Sequence, residues 1–530
     1  MNRQRTLLRI VLGAALLAAC AGGASARVVP AAIVVMQGDA LGPGTVSSVN
    51  TPFTDGAGRV GFVGALDDGQ RFIWWDSGPV FFSSDALPEV LTGGESTMGV
   101  SDTGGFIYSP AVGGNDAVYT HGGTLLKKTD PVPCLPGLYS SFNSRPTMLP
   151  NAIAHWVGGT ATTPTGSTSN RHLFRAVDPT DPETIERLLG GGDVIEGKTV
   201  KTTASNFNYW ISDNGLHHIH ILDMDVAASE NEHVYLDGVF IAQEGQPTGQ
   251  GDHWSSFDIV GVNDAGDYIF TGDTDGPTTT DEFVAFNGKI VVREGDTLDG
   301  VTIPAGAALR AASINNVGDV LHMWGSSANE YLFFGPGARL AQSVCLLATG
   351  DSLDVDGDQV ADFVVTDFNA STTIGPGLDL ADGRMTHQAT DPTRAYLDVD
   401  LSPIGMGTGG EAIIGIATSP APREEEGRSR DLVRGGSAAS AVILATSAPG
   451  PQRGGTIRYR LAEAAAARLA LYDIAGRQVR LLQDGPAAAG IHELAWDGRD
   501  AGGARLPAGA YFLRLDAPGA SAPGRLVLVR

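Results

Sequence analysis

The chain repeats itself. Residues 33–39 read IVVMQGD and residues 290–296 read IVVREGD. Weaker copies follow the same outline: PVFFSSD at 79–85, TLLKKTD at 124–130, ERLLGGGD at 186–193, VFIAQEGQ at 239–246 and CLLATGD at 345–351. Their last residues stand at 39, 85, 130, 193, 246, 296 and 351, giving intervals of 46, 45, 63, 53, 50 and 55. A period of this size is that of a stacked repeat whose units cannot bury their apolar faces alone, and a propeller blade of roughly 40 to 50 residues fits it.

The interior of each interval has a constant order. Over 256–296, SFDIVGV reads as a strand, Asn263-Asp264-Ala265-Gly266 as a turn, and DYIFTGD, EFVAFNG and KIVVREGD as three further strands. The turn recurs at Asp55–Gly58, Ser101-Asp102-Thr103-Gly104, Ser212-Asp213-Asn214-Gly215 and Asn315-Asn316-Val317-Gly318. Asn and Asp tolerate left-handed backbone angles and glycine adopts them freely, so these tetrapeptides suit tight hairpins. Four short strands per unit predict an all-β fold, a seven-bladed β-propeller over 27–402. The first copy has no three strands before it, and the last unit, from 361 to 401, supplies three strands ending in RAYLDVDL. The orphan strand near Val34 and Val35 is therefore expected beside Tyr396 and Leu397, closing the ring and removing two open sheet edges. Six or eight blades and a linear β-solenoid are the other architectures of this pattern. The NxxG-type repeat resembles the propeller-like ectodomains of secreted bacterial proteins.

At the N-terminus Arg3, Arg5 and Arg9 precede an apolar run from Ile10 to Ala19 and then small residues, the layout of an export signal over 1–26. The run is too short to span a bilayer, and no transmembrane helix is expected elsewhere. Two processing sites compete. Ala24-Ser25-Ala26 is an A-x-A site that leaves Arg27 first, whereas Leu17-Ala18-Ala19-Cys20 resembles a lipobox, in which Cys20 would be acylated and anchor the protein. Both place the protein outside the cytoplasm, extracellular or on the outer cell surface.

Residues 403–453 read as a flexible linker, rich in Gly, Ser, Ala and Pro around the charged patch REEEGRSRD. Gly405-x-Gly407-x-x-Gly410 matches a dinucleotide fingerprint but lacks the strand–helix frame that such a loop needs, so it reads as coincidence. From 454 to 530 the alternation of apolar and polar residues predicts a small β-sandwich. LYDIAGRQVRLL, AAGIHELAWDGRDAGG and LPAGAYFLRL resemble the immunoglobulin-like domain of FlgD-like flagellar hook-capping proteins, with Trp496-Asp497-Gly498-Arg499 and Gly509-Ala510-Tyr511 as the telling residues. The module is similar to type IX secretion sorting domains. The resemblance implies surface retention or contact with a secretion or sorting machinery rather than catalysis, and Trp496 and Tyr511 are expected in its core.

Charge excludes one class of partner. The formal net charge is −25, from 60 acidic against 35 basic residues. The signal and the C-terminal module are each at +3 and the linker is neutral, leaving −31 on residues 27–402. Nucleic acid would be repelled.

The candidate metal site is Asp354-Val-Asp356-Gly-Asp358-Gln-Val-Ala-Asp362. Carboxylates at alternate positions of a tight loop converge on a hard cation, Ca2+ above all. The loop resembles the calcium loops of FG-GAP and integrin-type propeller repeats. By that resemblance Asp354, Asp356, Asp358 and Asp362 are side-chain ligands and the Val360 carbonyl a fifth, with Gln359 standing where the family has glycine. A solvated Asp-rich turn is the alternative. His218 and His220 share one strand face about 7 Å apart and would seat a transition metal only if an acidic partner faced them. Cys134 and Cys345, three units apart, are expected as unpaired buried thiols. No nucleophile elbow, HExxH, CxxC or P-loop is present; Gly94-Glu95-Ser96-Thr97-Met98 lacks the second glycine of an elbow. The residues thus point to a non-enzymatic binding or structural protein that presents propeller loops to a glycan, a protein or an envelope component. A secreted carbohydrate- or ester-active enzyme with channel-mouth carboxylates is the second reading.

Overall fold

A computed structural model describes residues 27–528 apart from 55–58, 94–97, 143–145, 167–169, 203–206, 327–328, 370–384, 387–393, 406, 419–440, 447–454 and short breaks at 462–463, 473–476, 489, 508 and 518–519. The export signal, Cys20, the Asp55–Gly58 turn and residues 94–97 of the Gly94-Glu95-Ser96-Thr97-Met98 segment lie outside the described residues. The chain divides into two compact units, residues 1–423 and 424–530.

Among the described residues, the first unit contains seven four-stranded antiparallel meanders. Sheets 1 to 6 occupy 44–82, 98–127, 138–190, 207–243, 260–293 and 308–348, in chain order. The fifth is the one read from the sequence: Val260–Val262, Tyr268–Gly272, Phe283–Phe286 and Lys289–Arg293. Sheet 7 joins the two ends of the unit. Phe363–Phe368 pairs with Arg394–Pro403, which pairs with Gly410–Ala417, which pairs with Val28–Met36.

That last strand corrects the expected boundaries. EAIIGIA at 411–417 belongs to the sheet rather than to a linker, and it stands between Tyr396 and the N-terminal strand. Val35 faces Ile413 directly, and Ile413 faces Asp398 on its other side. The β-branched run was masked in the sequence by the glycines around it. Those glycines, including Gly405 at φ 110°, form the hairpin that connects the second and third strands of the sheet.

Packing follows the period-two alternation of the strands. Each apolar cluster is shared by consecutive sheets, and seven clusters join the seven sheets in a circle. Ile414 packs towards sheet 6 with Leu332 and Leu347, while its neighbour Ile413 packs towards sheet 1 with Val46, Phe62 and Phe72. One strand thereby seals the last interface from both sides. The architecture is a closed β-propeller.

Two polar devices repeat with the sheets. The Asp that ends the sequence motif accepts from the backbone N–H three residues earlier. This holds for Asp39, Asp85, Asp130, Asp193, Asp296 and Asp351, at 2.8 to 3.0 Å. The side chain closes a turn at the end of the outer strand, which accounts for the recurrent Gly-Asp. The second device links neighbours. A Glu at the head of the third strand accepts from the backbone N–H of the next sheet: Glu232 from Phe257 (2.8 Å), Glu282 from Leu309 (2.8 Å) and Glu330 from Phe368 (2.7 Å). Glu411 accepts from Val49 at 3.0 Å, across the ring closure.

These staples and several histidines sit in the sheet interfaces. Burial pushes the Glu282 carboxyl up to about 8 and those of Asp258 and Glu294 to about 7, and raises Glu330 and Glu411. Burial also lowers His155, His220 and His322 to about 3, and His172 and His233 to about 4.

The second unit holds two sheets. Ala441–Thr446, Gly455–Leu461 and Gly490–Trp496 form one; Gln478–Ala487, Ala465–Tyr472, Gly509–Ala517 and Ala520–Leu528 form the other. Its first strand lies upstream of the expected boundary at 454. Trp496 and Tyr511 are core residues, as expected. Trp496 Nε1 donates to the Arg499 carbonyl at 3.0 Å and the Tyr511 hydroxyl to the Pro507 carbonyl at 2.9 Å. Cys345 is buried, whereas Cys134 is exposed because its loop lies outside the strands; the two form no disulfide with each other.

Two stability measurements test this account. Glu411→Ala should lower unfolding free energy by about 1–3 kcal/mol, since it leaves the Val49 N–H unsatisfied, while Glu411→Gln keeps an acceptor and costs less. Equal urea midpoints for all three proteins would show that the staple is idle. The second is pH dependence. Raised acids are protonated when folded and ionised when unfolded, so their contribution falls as pH rises from about 4.5 to 8. Lowered histidines act oppositely, losing stability as pH drops below about 6.5. Between pH 7.5 and 8.5 the histidines are close to neutral in both states and the acids still differ, so the melting temperature should fall, and Glu282→Gln should flatten that fall.

Candidate functional site

The four described tetrapeptide turns, at 101–104, 212–215, 263–266 and 315–318, each join the first and second strands of their sheet. Their first side chain folds back on the backbone. Ser101 Oγ accepts from Gly105 N (3.0 Å), Ser212 Oγ from His217 N (3.0 Å), and Asn263 and Asn315 Oδ1 each accept from the residue four along (2.9 Å). Gly104, Gly215, Gly266 and Gly318 take φ of 69° to 82°, the left-handed region read from the sequence.

The turns then bond to one another. Asn214 N donates to Asp264 Oδ1 (2.8 Å), Asp264 N to Asn316 Oδ1 (2.9 Å), and Asn316 Nδ2 to Asp213 Oδ2 (2.9 Å). The last bond joins sheets 4 and 6, which are not neighbours. Two turns that reach over an intervening sheet must both lie near the axis, so this triangle covers part of the axial opening. Burial raises the Asp264 carboxyl, and its bond from Asn214 opposes that shift. The turn type is legible in the residues, but nothing in one turn says that it meets another 103 positions away.

Beside the triangle, the axial ends of sheets 1 to 4 enclose a pocket. Its walls are Phe53, Thr54, Trp75, Met98, Gly99, Val100, Pro146 to Pro150, Trp210, Ile211 and Asp213. Phe53, Trp75 and Met98 are buried, Trp210 is half-buried, and the Arg59 guanidinium lies 5.2 Å from the centre of the Trp75 ring. Arg59 also pairs with Asp102 at 3.4 Å. Two indoles, a carboxylate and two threonine side chains thus line the pocket around apolar residues.

The opposite end of the sheets is acidic. Asp258 stands close enough to Asp273 and Glu232 to be raised by their charges, and Glu282 to Asp273, Asp258 and Glu294. Several of these carboxylates are occupied structurally, Glu232 and Glu282 by the inter-sheet bonds above and Glu294 by Gly306 N at 3.1 Å.

The Asp-rich loop lies at the start of sheet 7. Asp354, Asp356 and Asp362 offer one oxygen each within 4.8 Å of one another, which among the described residues is the one group of three metal-capable side chains so arranged. Asp354 is buried and accepts from Gly357 N (2.7 Å) and Gln359 N (3.0 Å); Asp362 accepts from Val355 N (2.9 Å). Gln359 adopts φ 68°, taking the left-handed angle for which glycine was expected. Asp358 is not one of the three side chains of this group, and the expected contribution of Val360 is a backbone carbonyl rather than a side chain. The Asp358 carboxylate accepts from Val360 N at 2.7 Å.

His218 and His220 do share a face, their rings stacked with centroids 6.3 Å apart. They point into the interface with sheet 3, where His155 meets His218 at 6.5 Å, rather than to solvent. His217 pairs with Asp237 at 2.8 Å.

Among the described residues no helix is long and apolar enough to cross a membrane. No curated protein sequence matches the chain. Among solved structures it is similar to PorZ, a bacterial surface component of the type IX secretion system of Porphyromonas gingivalis (12% identity, 92% of this chain and 75% of that one, TM-score 0.26). It is also similar to an α-L-arabinanase of Penicillium chrysogenum complexed with arabinobiose (10%, 74% and 98%, TM-score 0.31) and to prolyl oligopeptidase B of Galerina marginata (10%, 79% and 57%, TM-score 0.34). Likenesses this remote decide nothing about function. The C-terminal unit is better placed: residues 447–521 match the FlgD Ig-like domain family.

Proposed function

We propose that the protein is exported and binds without catalysing, presenting the turn-covered face of a seven-bladed ring to an uncharged glycan at or beyond the cell surface. The observation that carries this reading is the axial pocket, where Trp75 and Trp210 stand with Asp213 at the meeting point of four sheets. Sugar rings expose flat C–H faces that stack on indoles, and their hydroxyls donate to carboxylates. The charge of the propeller, −31 over residues 27–402, disfavours a polyanionic ligand. The arginine-rich signal supports export, and the FlgD Ig-like match supports the view of the C-terminal unit as an appendage for surface retention or for a secretion or sorting machinery.

The enzymatic alternative needs a pair of free carboxyl groups at a channel mouth. The buried acids of the opposite face are engaged by backbone N–H groups of the next sheet, which favours a structural role for them. Titration calorimetry of the secreted protein against neutral polysaccharides should detect binding, and Trp210→Ala should weaken it about tenfold or more. Release of reducing ends from any of these polymers would give the protein to the enzymatic reading.

The Asp354, Asp356 and Asp362 cluster is read as a structural Ca2+ site that pins the loop into sheet 7. Calcium at a hundredfold excess over its Kd would stabilise by about 2.7 kcal/mol. Chelation should therefore lower the melting temperature of the wild type, and Asp356→Ala should remove that response. If mutant and wild type respond alike to the chelator, the loop is a solvated turn.

A further inference from the structure

Asp351 is one of the motif aspartates, and its Oδ2 makes the turn-closing bond with Ala348 N at 2.9 Å. It also receives a residue from the far end of the unit. Arg27 Nε donates to Oδ2 at 3.1 Å, and the backbone nitrogen of Arg27 donates to Oδ1 at 3.2 Å. The Arg27 carbonyl accepts from Ser352 N at 2.8 Å, in register with the parallel pairing of Val28 and Ser352. Arg27 Nη2 lies 3.8 Å from Cys345 Sγ. Asp351 is only 4% exposed, so its charge is held largely away from water. A buried carboxylate facing a main-chain nitrogen at the first residue of the closing strand is well suited to a positive charge on that nitrogen.

The residues before it are Ala24-Ser25-Ala26, with small side chains at the first and third positions upstream of Arg27. We infer that the Ala26–Arg27 peptide bond is hydrolysed and that the α-ammonium so created on Arg27 forms an ion pair with Asp351. Water divides across the bond. Its oxygen completes the Ala26 carboxylate, both of its hydrogens end on the Arg27 nitrogen as the α-ammonium, and an external peptidase catalyses the step. The neutral amide donor then becomes a charged one, with a hydrogen bond roughly twice as strong. Maturation would thus fasten the strand that closes the ring. Cleavage before Cys20 would leave an ordinary amide at Arg27 and no such gain. The processing half of the inference rests on the export reading; the ion pair requires only a chain that begins at Arg27, however it is produced.

Two measurements test it separately. The intact mass of the protein recovered from the exporting cell should correspond to a chain beginning at Arg27, and a mass beginning at acylated Cys20 overturns the processing site. In vitro, a chain starting at Arg27 is compared with one carrying a single extra glycine ahead of it. The native start should melt about 2 °C higher, and in Asp351→Asn the two chains should melt alike. Equal melting of the two wild-type chains overturns the ion pair. Should Asp351→Asn fail to fold, the wild-type pair of chains still decides, because it alters only the position of the charge.

Discussion

One strand exchange holds the first unit together. Val28–Met36 lies on Gly410–Ala417, and through that pairing the seventh sheet acquires its outer strand and sheet 1 its neighbour. Without it, the Gly410–Ala417 strand would present a raw edge, and Val35 would be missing from the cluster that holds Ile413 and Phe62. The Glu411 carboxylate crosses to Val49 at the same seam, so backbone pairing, side-chain packing and a buried polar bond coincide there.

Much of this was legible. The Gly-Asp repeat located the outer strands, and its aspartates turn out to close the same turn in six places. The missing fourth strand of the last unit announced closure. What misled was local composition. Residues 410–417 sit among glycines and serines, and a window of that composition reads as linker even though Ala412, Ile413, Ile414 and Ile416 form a continuously buried strand. The third-strand glutamates were also passed over. A lone Glu ahead of an aromatic carries no signal until the sheet beside it is known, because its partner is a main-chain N–H with no side-chain identity.

The site divided along the same line. Turn chemistry is local, so the left-handed glycines were predictable. Convergence is not local: Asp213 and Asn316 meet only because two sheets flank a third. The aspartate loop shows an intermediate case, in which spacing identified the loop but not which oxygens face inward. The three side chains that come together are Asp354, Asp356 and Asp362, while Asp358 accepts from Val360 N.

The seam also dictates an order of events. Glu411 and Val49 are 362 positions apart, so the earliest segment of the polypeptide must wait, unsatisfied, until almost the whole propeller has left the ribosome. Until then the sheets form an open arc whose two ends are free to find the wrong partner, including another nascent copy of themselves. A molecule constructed this way cannot mature piece by piece, and its most vulnerable moment is the interval before the latch arrives.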